Sequence, residues 1–139
     1  MTILNAEIEK FHTVFGLPAP KTVQPLTLER IVRFKEILQD ELNEVNDILT
    51  VLRMQPEKEQ MMDAQVMLAD WLGDIIVYCA SEARRHGIPL EQVLQIIFQS
   101  NLSKLDRDGN PIVVDGKVQK GPNYWRPEGK IRELLTRES

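Results

Sequence analysis

Ile37-Leu38-Gln39-Asp40-Glu41-Leu42-Asn43-Glu44-Val45-Asn46-Asp47-Ile48 is the stretch from which the rest of the chain is read. On a helical wheel Ile37, Glu41, Glu44 and Ile48 fall on one line, at spacings of four, three and four, so two carboxylates interrupt an apolar line. The other acidic and amide groups, Glu36, Asp40, Asn43 and Asp47, collect away from Leu38, Leu42 and Val45, as on a solvated face. The anomaly repeats from Met67 to Ala80, a segment that reads as an interior helix because it is apolar all round, yet carries Asp70 and Asp74 one turn apart on one face. No basic residue lies within that run. Burying a carboxylate costs several kcal/mol unless it is paired, protonated or bound to a metal. Acids on two interior faces therefore call for a cation. Oxygen-only ligands on rigid helices suit Mg²⁺, with Mn²⁺ as a substitute, and an ion that keeps some of its waters points to a phosphate-bearing substrate.

The 139 residues are expected to form one domain over 1–139, with a core at about 27–105 and a hairpin and tail at 106–139. A net charge of -4 and the absence of any Lys/Arg block argue against a nucleic-acid polymer or an acidic membrane as partner. Cys79 is the single cysteine, so an intrachain disulfide and a multi-cysteine zinc site are both excluded, and the residue reads as a small core side chain in a reduced, cytoplasmic setting. Glu7, Glu9 and Lys10 stand where a signal peptide needs its apolar centre, and no apolar run reaches the roughly 18 residues of a membrane span.

In chain order, Asn5 reads as the cap of a first helix running to Phe15, with Ile8, Phe11, Val14 and Phe15 as its apolar side. His12 lies beside that side with Glu9 near it, but without a third ligand it reads as an ordinary contact. Pro18, Pro20 and Pro25 mark a loop, and Thr27 caps a helix through about Arg53, with Ile31, Phe34, Leu38, Leu42, Val45, Leu49 and Leu52 as its core stripe. Pro56 is expected to open a third helix ending at Gly87, and Gly73 within it suggests a close helix contact or room for a ligand. Pro89 opens a fourth helix, with Asn101 and Lys104 on one face near its end. Asp106 to Asn110 resembles half a calcium loop, but Lys117 stands where the twelfth-position Glu belongs. Residues 111–119 read as a hairpin with an Asp115-Gly116 turn, and Glu128 to Arg137 as a terminal helix. Short links between helices predict an all-α fold, an antiparallel four-helix bundle-like core with a small C-terminal β-hairpin, in an oligomer.

With these residues in place the chain resembles the all-α nucleoside triphosphate pyrophosphohydrolases, the MazG-like proteins and phosphoribosyl-ATP pyrophosphohydrolase among them. Asp40-Glu41-Leu42-Asn43-Glu44 matches the first acidic element of that family with Asp in place of the leading Glu. In Trp71-Leu72-Gly73-Asp74, Asp74 takes the final Asp of the second element, while Trp71 stands at its Glu position and Asp70 is the substitute. Gly87-Ile88-Pro89-Leu90-Glu91, Asn101-Leu102-Ser103-Lys104 and Lys120-Gly121-Pro122-Asn123-Tyr124 extend the likeness from about residue 27 to 127. The resemblance implies Mg²⁺-dependent cleavage of the α–β phosphate bond of a nucleoside triphosphate, giving a monophosphate and pyrophosphate, by a homodimer or homotetramer. Glu41, Glu44, Asp70 and Asp74 are then the expected metal ligands, with Glu41, Glu44 and Asp40 as the catalytic carboxylates. Lys104 and Lys120 become phosphate clamps, Asn101 reads a base or sugar edge, and Trp71, Tyr124 and Trp125 offer stacking faces.

Two other readings stay open. One keeps the chemistry but takes phosphoribosyl-ATP as substrate. The other is a non-catalytic helical assembly or regulatory module, in which the carboxylates bind an ion structurally or accept Arg30, Arg33, Arg84 or Arg85 across an interface.

Overall fold

A computed structural model describes residues 2–137. Five helices, α1 (Thr2–Phe15), α2 (Leu28–Arg53), α3 (Lys58–Arg85), α4 (Leu90–Leu102) and α5 (Glu128–Arg137), carry one small hairpin between the last two, β1 (Val113–Val114) and β2 (Lys117–Val118). Thr27 caps α2 as its sequence requires: its backbone is extended and its Oγ1 accepts from Arg30 N at 3.2 Å. At the start of α3 the cap is Glu57, whose N–H donates to the Gln60 side chain at 2.8 Å, so Pro56 lies before the helix and not at its first position. Asn5 is likewise not a cap. It sits inside α1, and its side chain donates to Glu91 on α4 at 2.7 Å.

The packing centres on α3, which lies against α2 along much of its length and against α1 at its C-terminal half, where Ala80 and Ala83 are small enough to let helices approach. The buried line of α1 is Ile8 and His12, while Val14 and Phe15 are exposed. The His12 ring is 1% exposed and makes two 2.7 Å contacts, with the Pro18 carbonyl through Nδ1 and with Ser81 Oγ through Nε2. A carbonyl only accepts, so Nδ1 carries the proton there. The role expected of His12, a contact and not a metal ligand, becomes a polar rivet between α1, the proline loop and α3.

The four-helix core is not closed within one chain. Helix α4 meets α3 only where the two join and α5 along its side, and among the described residues no Cα of α4 comes within 8 Å of α1 or α2. For the same reason α3 is not an interior helix here: Leu68, Leu72, Ile76 and Val77 are 43–55% exposed. Periodicity identifies an apolar surface without naming what covers it. Cys79 is also exposed rather than in the core, although burial of the thiol itself pushes its pKa up.

Gly87 has φ +70°, and a Cβ there would stand 2.0 Å from the Thr22 carbonyl oxygen, so the chain crosses α3's end where only glycine fits. Next to it, Glu82 accepts both Arg30 Nε at 3.2 Å and an Arg30 terminal nitrogen at 2.5 Å, and meets His86 Nε2 at 2.6 Å. Burial pushes the Glu82 carboxyl up, but its hydrogen bonds from Arg30 and His86 outweigh this and hold it below the ordinary value of 4.5. A carboxyl lowered by folding adds stability above its unfolded pKa and loses it as pH falls through the folded one. Chemical denaturation between pH 6 and about 3 should therefore show stability draining below about pH 4.5, with Glu82→Gln flattening that slope.

At the C-terminal end, Ser100 Oγ donates to the Trp125 carbonyl at 2.9 Å and Trp125 N donates to Ser103 Oγ at 3.2 Å, strapping the tail onto α4. The hairpin turns as its sequence predicts, through Asp115 at φ 51° and Gly116 at φ 76°, with Val113 opposite Val118. The Asp106 carboxylate is consumed locally, accepting from Asp108 N and Asn110 N at 2.9 Å each, which makes this segment an Asx turn.

Candidate functional site

Of the four carboxylates expected as metal ligands, the structure buries one. Glu41 is 9% exposed, and its Oε2 is out of contact with solvent and accepts no hydrogen bond. Glu44, Asp70 and Asp74 are exposed, so the expectation of several trapped acids narrows to a single buried one at the back of an open acidic face. The helix spacing places Glu44 one turn from Glu41, and Asp70, Asp74 and Tyr78 one turn apart in succession along α3.

These groups act on one another. The charge of Glu41 comes first in raising the Glu44 pKa, followed by burial, a hydrogen-bonding contact with Glu41, and the charges of Asp74 and Asp47. Tyr78 is raised as well, first by its hydrogen bond to Glu41, then by burial and by the charges of Glu41, Asp74 and Glu44. Mutual repulsion of this kind has the opposite sign to the Glu82 ion pair: it costs stability as the carboxyls ionise. An unpartnered buried oxygen beside repelling carboxylates is a donor set suited to a hard cation.

A cleft of about 180 Å³ opens beside them, lined by Glu44, Asp47, Ile48, Met67, Asp70 and Trp71. Among the described residues no three of His, Cys, Asp or Glu are grouped so as to hold a metal ion, so the expected set Glu41, Glu44, Asp70 and Asp74 is not assembled as a ligand cluster here, and the unpartnered Glu41 Oε2 is the feature of this face that favours a cation. Asp40 is exposed and does not line the cleft.

Trp71 lines this cleft and also makes a packing contact. Its Nε1 donates to the Glu41 carbonyl at 2.6 Å, pinning α3 to α2 at the buried carboxylate. Trp71→Phe keeps the ring and removes the donor, so urea unfolding should show a loss of about 1 kcal/mol. Asp47 and Tyr78 are participants that the sequence reading missed. On the wheel Asp47 belongs to the solvated face, and its three-residue step from Glu44 and the four-residue step from Asp74 to Tyr78 are the sequence signals that point to the two.

The expected phosphate and base contacts are not brought to this cleft. Asn101 is exposed on α4, and Lys104 is half-buried just past its end, where Gly121 lies so close that a Cβ would stand 2.6 Å from the Lys104 carbonyl oxygen. Lys120 sits 5.2 Å from the centre of the Tyr124 ring, and Lys130 is 4.2 Å from that of Trp125, so both aromatic faces carry a cation. A wider bowl of about 330 Å³ lies elsewhere, between α1, the end of α3 and the start of α4. Four of its polar side chains bind one another, Asn5 with Glu91 and Arg84 with Glu9, and Glu41, Glu44, Asp47, Asp70 and Asp74 are not among its lining residues.

Among solved structures, one protein similar to this chain in fold can be named. It comes from Exiguobacterium sp. 255-15 and is described as "a putative NTP pyrophosphohydrolase"; the two chains are 18% identical, with a TM-score of 0.50 over 96% of this chain and 94% of that one. At that identity the likeness is one of fold, and it spans nearly the whole length of both chains. No family model matches this chain, and no curated protein matches it. Among the described residues no helix is long and apolar enough to cross a membrane.

Proposed function

We propose that this chain is a Mg²⁺-dependent nucleoside triphosphate pyrophosphohydrolase that cleaves the α–β phosphate bond. The observation that carries the reading is the buried Glu41 carboxylate, whose Oε2 has no partner and which raises the proton affinity of Glu44 beside it. Glu41, Glu44, Asp70 and Asp74 would hold the ion, which when bound neutralises phosphate charge and makes water easier to deprotonate. Glu44, with its raised pKa, fits the acceptance of a proton from the attacking water. One water is consumed; the α–β anhydride breaks; a nucleoside monophosphate and pyrophosphate leave. The fold shared with the Exiguobacterium protein supports the same reading, since that protein's description names this class of substrate.

The rival reading, a regulatory module with arginines on these carboxylates, is less well supported. Of the four arginines it would use, Arg30, Arg33 and Arg84 are engaged within the chain by Glu82, Glu36 and Glu9, and Arg85 alone has no ion pair among the described residues. A panel of nucleoside triphosphates assayed for pyrophosphate with Mg²⁺ or Mn²⁺ tests the proposal. Release from at least one nucleotide, abolished by EDTA, is expected; silence across the panel would retire it.

A further inference from the structure

The cleft of about 180 Å³ adjoins the proposed ion site, because Glu44 and Asp70 belong to both. From these two it extends one turn along each helix, to Asp47 and Ile48 on α2 and to Met67 on α3, with Trp71 beside them. One turn is about 5.4 Å, the scale of the sugar that separates the α-phosphate of a nucleotide from its base.

The lining narrows what this end of the cleft can take. Glu44, Asp47 and Asp70 line it without any Lys or Arg, so a phosphate group away from the ion is repelled. Ile48, Met67 and Trp71 supply an apolar side, in which Ile48 is buried and the Trp71 indole is fixed by its hydrogen bond to the Glu41 carbonyl. A flat ring suits such a wall, but stacking on an aromatic side chain accepts any base. Discrimination must then come from the edge of the ring, and the edge meets carboxylates, which when ionised only accept. A base presenting an N–H donor is satisfied there, whereas a carbonyl would set two acceptors against each other.

Glu44 and Asp70 are assigned to the ion, which leaves Asp47. Its carboxylate is exposed and, among the described residues, accepts no hydrogen bond and forms no ion pair. Asn101, expected from the sequence to read a base or sugar edge, does not line this cleft. Resting on the function proposed above, we infer that the substrate's base lies in this cleft against Trp71 and that Asp47 accepts from its exocyclic amino group. Amino-bearing bases are then taken in preference to their keto counterparts.

The test compares CTP with UTP and ATP with ITP, pairs that set an amino group against a carbonyl at one ring position. In whichever pair is hydrolysed, kcat/KM should favour the amino member by about 10–100-fold, the discrimination given by one hydrogen bond to a charged acceptor. Asp47→Asn, whose amide both donates and accepts, should bring that ratio close to one. A weakened ion site lowers both members alike, so the ratio reports the base and not the metal. Equal rates in wild type, an unchanged ratio in Asp47→Asn, or a change confined to the ratio of CTP to dCTP, which would put the sugar at Asp47, overturns the inference and leaves the catalytic reading standing. A second readout needs no turnover. CMP should bind more tightly than UMP in Mg²⁺ by calorimetry, and should quench fluorescence that is lost in Trp71→Phe, where Trp125 is the indole that remains. Quenching that persists in Trp71→Phe overturns the placement of the base. Silence on the nucleotide panel with Asp47-dependent CMP binding intact would count against the catalytic reading alone; silence with no nucleotide bound would remove both.

Discussion

Glu41→Gln is expected to make the protein more stable and catalytically dead. The carboxylate Oε2 is buried with no hydrogen-bond partner and lies against Glu44, so the folded chain carries both a desolvation cost and a repulsion that the amide removes. Glutamine has nearly the same shape, and its NH₂ is able to donate to the carboxyl beside it. Compared in EDTA, the variant should gain about 1–3 kcal/mol, or roughly 4 °C in melting temperature for each kcal/mol. Mg²⁺ should reverse the ranking, because wild type gains stability from an ion bound only in the folded state, whereas the variant has lost a ligand. Pyrophosphate release should drop by about 100-fold or more. A variant that melts below wild type in EDTA would show that Glu41 is satisfied in solution by a group of the protein, and the argument for a cation would fall with it.

The second large effect is purely steric. Gly87→Ala should destabilise the fold by about 2–5 kcal/mol, combining the strain of a left-handed alanine with overpacking. The obstacle is backbone, the Thr22 carbonyl oxygen 2.0 Å from the new Cβ, and the same crossing is tied by Gln24 N donating to the His86 carbonyl at 2.9 Å. Gly16→Ala is the control. Gly16 has φ +63°, nearly the same backbone, but a Cβ there meets nothing within 4 Å, so only the conformational part, about 1 kcal/mol, should appear. Equal losses in the two variants, measured by urea unfolding, would mean that the Thr22 loop yields and does not lock the corner.

What the sequence disclosed follows the range of the interactions involved. Thr27, the Asp115-Gly116 turn and the Gly87 terminus were legible because a cap or turn is decided within four residues of itself. His12 was legible only as something other than a ligand, since its partners, the Pro18 carbonyl and Ser81, come from a loop and from a helix 69 positions away. The acids stand out by their intrusion into an apolar line, and of them Glu41 is the one that the packing buries. Their burial was overestimated, because a helical wheel reports neighbours on one helix and says nothing of how closely a second one approaches. The cleft that recruits Asp47 and the contact that recruits Tyr78 depend on the packing of α2 against α3. The placement of α4 was misjudged for a related reason: a short link limits the distance between two helix ends, but not the direction in which the second helix then runs.

The narrow junction at Gly87, Ile88 and Pro89 divides the chain into two sets of mutually supporting helices, α1 with α2 and α3, and α4 with α5 and the strapped tail. Cooperative opening follows shared contacts, so amide hydrogens should exchange as two families. Those of α4 and α5 should slow or quicken together, apart from the first turn of α4, which the Asn5–Glu91 hydrogen bond ties to α1.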